Sequence, residues 1–517
     1  MIDLTAPFAT RTTRTNPPQP SCAVFKRLYA LVALGLVFTL GACSSESTST
    51  PAPAATQATN VNSQSLTQWL DSQYEEELQF SPIQLTFLGR KERNNEIDEF
   101  TFEAHKEQVE WKTNSSKTMA ELFDYASLSD DEKLSFDLWQ FQAEKMADSV
   151  KFFHNGLTFD QMNGIQNFVP TFLINFHSVD SVEDMRAYIS RIKAVAPRMQ
   201  EALVNAQTSS DKGVITPGFA LDGVITQTQA IITGQPFETV ASKDSDLWSD
   251  VQSEVAKLQE QELIDAQMAA SLLAGARSAL VNDLQPAYRN IISWAENEKD
   301  KAPKISTGIG NQGNGAAYYK YRLGTQTTTS LTADEIHEIG LSEVKRLRAE
   351  MMEIIEQVNF DGDLAAFFVH VRDAEWNYYP DTDEGRKDYI DDATAAIDNI
   401  KSKLPEVFGL MPKADLLVKR VEPFRERDGA AQHYYPGTPD GSRPGIYYAH
   451  LSDMTTMPKN QLEVIAYHEG LPGHHMQLSI AQELTGIPVF RTQANFTAYT
   501  EGWGLYSEMI PKEIGLY

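Results

Sequence analysis

The stretch from Leu331 to Val358, LTADEIHEIGLSEVKRLRAEMMEIIEQV, narrows the choice of fold more than any other part of the chain. Thr332 and Glu335 spell a capping box, in which a hydroxyl and a carboxylate satisfy the first free N–H groups of a helix. Ile336, Ile339, Val344, Leu347, Met351 and Ile354 then recur near helical spacing and form one apolar stripe. Such a stripe is expected to be core. Ser181, with Asp184 three residues on, opens a second long helix of the same kind. Further helices are predicted around 245–300, 363–374 and 385–403. Strand signals are few, and DLLVKRVE (Asp415–Glu422) and GIYYAHL (Gly445–Leu451) are the best. The expected fold class is mainly α, with a small β-sheet near a histidine-rich stretch. Acidic runs such as ERNNEIDEF (Glu92–Phe100) read as solvated faces.

The chain has 517 residues, 42% of them hydrophobic, which is enough for a large core. Its net charge of -27 argues against nucleic acid or an anionic membrane surface as a partner. Lys26 and Arg27 precede an apolar run, LYALVALGLVFTLGAC, that is shorter than the roughly 20 residues a spanning helix needs. A basic region, an apolar stretch and small residues make an export signal. Its ending, Leu40-Gly41-Ala42-Cys43, resembles a bacterial lipobox, which implies cleavage before Cys43 and lipidation of its thiol. With Cys22 removed, Cys43 is the one cysteine left, so no internal disulfide is expected. Ser44–Ser65 lacks large apolar residues and reads as a tether. The predicted organisation is a signal peptide over 1–42, a disordered tether over 43–65 and a helical domain over 66–517.

The chemistry concentrates in YHEGLPGHHMQ, Tyr467–Gln477, which holds three of the ten histidines within eight residues. Catalytic zinc sites use imidazole and carboxylate ligands and leave one position open. In the common H-E-x-x-H helix two histidines one turn apart share the metal, and the glutamate beside the first is the general base. Here NQLEVIAYHEGL (Asn460–Leu471) reads as a helix carrying His468 and Glu469, but the fifth position is Pro472. In an unbroken helix His474 lies about 240° round from His468, and His475 lies about 10.5 Å along the axis. Neither can share an ion with His468. Pro472 and Gly473 can interrupt the helix. Two residues looped out give His474 an effective spacing of four, whereas His475 needs three. His474 is thus the better second ligand, and His475 is left as a donor behind the ligands or a substrate contact. AYTEGWGLYSE (Ala498–Glu508) offers Glu501 as a third ligand on another helix, with Gly502 and Gly504 allowing close approach. Glu508, seven residues on, can orient a ligand histidine.

The chain resembles the bacterial domain of unknown function 885 family. The resemblance is carried by GAAYYKYRLGTQTTTSLTADEIHEIGLSEV, DGSRPGIYYAHL, AYHEGLPGHHMQ and YTEGWGLYSE. It covers most of the chain after Leu66. It implies a gluzincin-type zinc metallopeptidase, similar to the mainly helical carboxypeptidase Taq and thimet oligopeptidase folds. Those relatives carry a His-Glu-x-Gly-His core, which Gly473-His474 matches if two residues are inserted. The resemblance implies one zinc ion held by His468, His474 and Glu501, with Glu469 as base. It also suggests that Gly445–Leu451 is an edge strand pairing with the substrate backbone. Arg443, Tyr447, Tyr448, His433 and His450 lie nearby in sequence and can bind a carboxylate or carbonyl. Family members usually continue beyond PKEIGLY, so the chain is expected to be truncated at its C-terminus.

The function expected is zinc-dependent hydrolysis of oligopeptides by a lipid-anchored protein of the bacterial envelope, in the periplasm or outer membrane. Two rivals remain: a non-catalytic envelope lipoprotein serving as a binding or structural module, and a zinc amidase acting on cell-wall peptides. Glu469 separates the first rival, because a binding module has no use for a base beside the metal.

Overall fold

A computed structural model describes residues 64–516, apart from 242 and 427–429. The export signal, Cys43 and all but the end of the tether lie outside the described residues. Ser65 accepts from the N–H of Gln68 and completes a capping box on Leu66–Leu78, the first described helix.

Helices dominate the described residues. The largest core gathers around Val182–Asp211, whose Tyr188, Ile192, Val195 and Met199 pack against Ile165–Phe176, Gly218–Ile231 and Gln285–Lys299. Ser181 caps this helix through the N–H of Asp184. A second core joins Asp383–Lys401 to the sheet and to the helix carrying His468.

Among the described residues one three-stranded sheet forms, from β1 (Leu416–Arg420), β2 (His433–Tyr435) and β3 (Gly445–Ala449). The order is β1-β3-β2, with β3 parallel to β1 and antiparallel to β2. The expected edge strand is therefore central. All five β3 residues are buried, and both of its hydrogen-bonding sides are taken. β1 and β2 are the edge strands, and β2, at three residues, is too short to show a period.

Two further expectations fail. Thr332 and Glu335 do form the capping box of helix Ala333–Gln357. Its apolar stripe is nevertheless not core: Ile339, Val344, Leu347, Met351 and Ile354 are all exposed. The buried residue is Ile355, off that stripe. Periodicity selects a helix but not a partner for its face, and helix Leu364–Arg372 is the main described neighbour. Glu92–Phe100 is not a solvated face either. Asp98 accepts from the backbone N–H of Ile83 (2.9 Å) and from the Ser81 hydroxyl (2.6 Å). Asn94 and the Glu96 carbonyl accept from the buried Arg191. Asn94, Asp98 and the Glu96 carbonyl are thus used inward, while Glu92, Asn95 and Glu99 stay exposed as expected.

Candidate functional site

Helix Lys459–Glu469 carries the first histidine. Pro458 precedes it, and the side chain of Asn377 accepts from the N–H of Asn460, satisfying a donor that the first turn leaves open. Leu462, Ala466 and Tyr467 hold it to the core. The helix then stops: Gly470 bonds back to the Ala466 carbonyl and Gly473 to that of Tyr467. A new helix, His474–Glu483, begins directly at the second histidine. Where two looped-out residues were expected, four leave the helix. Gly473 is required, because a Cβ there would stand 1.9 Å from the His468 carbonyl oxygen. Trp503 fastens the break from the facing helix, its indole N–H donating to the Pro472 carbonyl (2.8 Å).

The break turns the rings of His468 and His474 together, with centroids 4.6 Å apart and planes nearly perpendicular. Helix Thr497–Ser507 brings Glu501 to them. Glu501 Oε2 lies 3.6 Å from His468 Nε2 and 3.7 Å from His474 Nε2. Three donors around one tetrahedral ion at bonds of about 2.1 Å stand about 3.4 Å apart, so these separations fit a shared zinc. Among the described residues no other group of three His, Cys, Asp or Glu side chains is as close.

Gly504 makes this approach possible, since a Cβ there would come within 2.7 Å of His468 Cε1 and Nε2 and 3.1 Å of His474 Cε1. Gly502 does not share the role, as a Cβ there meets nothing. Glu508 Oε1 lies 2.8 Å from His468 Nδ1. A carboxylate only accepts, so Nδ1 carries the proton and Nε2 keeps its lone pair for the shared point.

Glu469 is buried beside this triad, and its Oε2 has no partner. Burial pushes its carboxyl up to about 7; nearby His468 opposes this and Glu501 adds to it. Burial, reinforced by His468, pulls His474 below the usual imidazole range, which favours the neutral ring that binds metal. His474 Nδ1 is also buried without a partner.

The four groups open on a cavity of about 650 Å³ that β2 and Arg443 also line. His468 and Glu469 border a second recess of about 330 Å³, walled by Tyr389, Met457 and Ile465. A larger cavity of about 760 Å³ lies elsewhere, against helix Phe102–Leu122, and contains none of these groups.

The remaining candidates separate. His475 is turned away and saturated: Nε2 donates to the Ala414 carbonyl (3.1 Å), and Nδ1 accepts from the Tyr434 hydroxyl (3.0 Å). Burial holds it down at about 4. It braces the sheet and does not reach the cavity. Tyr448 is likewise buried, donating to Asn175 and stacked on His433, away from the cavity. His450 lines a different cavity, which His433 shares with the site. Tyr447 contacts the Tyr389 hydroxyl beneath Glu469. Sequence reasoning missed Trp503 and Tyr389. The first stood in plain view between Gly502 and Gly504; nothing local marks the second.

The family model described as "Bacterial protein of unknown function (DUF885)" matches residues 82–517. No curated protein matches the chain. Among solved structures it is similar to the "putative lipoprotein from Colwellia psychrerythraea", with 22% identity and a TM-score of 0.76 over 88% of this chain and 79% of that one. It is also similar to a "putative lipoprotein of unknown function from Shewanella oneidensis", with 16% identity and a TM-score of 0.57 over 88% of this chain and 78% of that one. These likenesses concern the fold.

Proposed function

This chain belongs to the DUF885 family, and we propose that it is a zinc-dependent peptidase held in the bacterial envelope by a lipid on Cys43. One observation carries the reading: two imidazoles and a carboxylate converge at metal-binding distance beside a buried carboxyl whose Oε2 has no partner. An unmade hydrogen bond in the interior is costly, and an open carboxyl oxygen beside three metal-type ligands is what a general base requires. The lipobox and the two solved relatives described as lipoproteins support the envelope placement.

His468, His474 and Glu501 would hold the ion, with Glu508 fixing the His468 ring. Zinc bound there supplies Lewis acidity toward the scissile carbonyl and makes water easier to deprotonate. Glu469 takes the proton from the attacking water and delivers it to the amine as the C–N bond breaks. The apolar recess beyond Glu469 shelters a substrate side chain, and the cavity on the other side takes the rest of the peptide. β2, the edge strand that lines this cavity, is the one placed to pair with substrate backbone.

Metal analysis of the full-length protein is expected to find about one zinc per chain. Glu469→Gln is expected to keep the metal and lose cleavage of a diverse peptide library. Zinc-loaded protein that cleaves no member of the library overturns the peptidase reading, and protein that binds no metal overturns the site.

A further inference from the structure

Arg443 sits at the rim of β3 and lines the same cavity as His468, His474, Glu469 and Glu501. It is the one Lys or Arg among the described residues lining that cavity. The guanidinium is well anchored. Its Nη2 donates to the carbonyls of Phe87 (3.0 Å) and Pro436 (3.4 Å), and the group lies 4.7 Å over the Phe176 ring. Yet it is incompletely satisfied. Nε has no partner, and Nη1 makes no hydrogen bond within the described chain. No described carboxylate pairs with it, although the chain carries 71 acidic residues against 44 basic ones. Arg425 and Arg420, close by, each have their own glutamate, at 2.5 and 2.6 Å. Asp440 attracts it through space but spends its carboxylate on Ser442, and a partly desolvated cation with no direct ion pair is costly; burial already draws Arg443 down to about 10. The chain keeps it without a direct ion pair in the cavity that all three residues of the metal-binding triad line.

We infer that Arg443 binds a carboxylate of the substrate, so that the site selects peptides presenting one near the bond to be cut. This rests on the peptidase reading in taking the ligand to be a peptide. The two acidic groups of the cavity cannot serve as its partner, since Glu501 faces the histidines and Glu469 is buried beside them. The carboxylate comes from the peptide's C-terminus or from an acidic side chain. In either case a planar guanidinium matches it as an ammonium does not.

Binding to zinc-loaded, full-length Glu469→Gln protein tests the inference without hydrolysis. An N-acetylated peptide is titrated calorimetrically as the free acid, as the C-terminal amide, and as the amide with one interior Gln replaced by Glu. The free acid or the Glu peptide is expected to bind about 10- to 100-fold more tightly than the plain amide, and whichever does so identifies the source of the carboxylate. Adding Arg443→Gln should remove that preference while leaving the amide within about twofold, the range of an uninvolved group; Arg443→Lys should restore part of it. Equal binding of all three peptides, binding of none, or a preference that survives Arg443→Gln overturns the inference. The first comparison needs no change at Arg443, so misfolding of that variant cannot mask the answer. If the unmutated protein cleaves nothing but the acid preference stands and depends on Arg443, the peptidase reading fails and the carboxylate site survives.

Discussion

Two buried polar regions of this molecule are built to opposite rules. All five N–H groups of Arg191 are used. Nε reaches the Glu96 carbonyl, Nη1 reaches Asn94 and His177, and Nη2 reaches Thr86 and the Pro82 carbonyl. Five N–H groups meet five acceptors, and His177 in turn bonds the Asp184 carbonyl. Around His468 the accounts are left open: Glu469 Oε2, His474 Nδ1 and Arg443 Nε are all buried without partners. Full use of the Arg191 guanidinium ties the Pro82–Phe87 segment to the long Val182–Asp211 helix and fixes architecture. Asn94 Nδ2 beside Arg191 is open too, but around His468 three open groups face one cavity, and on the proposed function metal or substrate supplies their missing bonds.

The contrast breaks if the two regions respond alike to substitution. Glu469→Gln is expected to lower peptide cleavage by about 10²- to 10⁴-fold with no loss of melting temperature, measured by turnover and thermal denaturation on one preparation. A parallel fall in stability would make Glu469 an architectural residue. Arg191→Leu should do the reverse, costing about 3–5 kcal/mol in denaturant unfolding while the folded fraction keeps its full zinc. A cost below about 1 kcal/mol would show that the network merely accompanies the packing.

Asp250 sharpens the comparison, because burial pushes its carboxyl up to about 7, as it does for Glu469. Asp250, however, has a partner, the Tyr188 hydroxyl, which donates at 2.6 Å. Its folded pKa lies above the unfolded value of about 3.9, so the folded state holds the extra proton. The stability this gives is whole below about pH 4 and drains away as pH rises to about 7. Asp250→Asn should flatten that part of the profile, and its advantage at pH 8 should reach at most about 4 kcal/mol. Melting curves at pH 4.5 and 8 for both proteins decide it, and equal pH slopes would refute the assignment. The smallest effect separates the two neighbouring histidines. His475→Ala should keep zinc and lose about 1–3 kcal/mol of stability, whereas His474→Ala should lose zinc. Metal retained by the second and released by the first would exchange their roles.

Much of the site was legible because its constraints are local. A His-Glu pair on a patterned helix, a proline and glycine that must break it, and a glycine-flanked glutamate downstream all declare themselves in sequence. The preference for His474 over His475 came from counting looped-out residues; the structure does bring the His468 and His474 rings together and turn His475 away, but through a break of four residues, not two. What escaped is what only packing decides. The Ala333–Gln357 stripe has perfect helical credentials and stays exposed, since a period says nothing about neighbours. ERNNEIDEF looks like solvent-facing charge, yet Arg191, about a hundred residues away along the chain, draws its Asn94 and Glu96 carbonyl inward. β2 is three residues long and exists because β3 offers it an edge.

Gly504 adds a prediction about mutational tolerance. Two residues along the same helix, Gly502 faces open space and can accept a side chain without collision. Position 504 has an alphabet of one letter, because even the methyl of alanine intrudes on both imidazoles at once. A saturation library selected for metal retention should therefore show a gap at 504 and near-free variation at 502. The spacing between the acidic helix and the histidines is stored there as the absence of a single carbon atom.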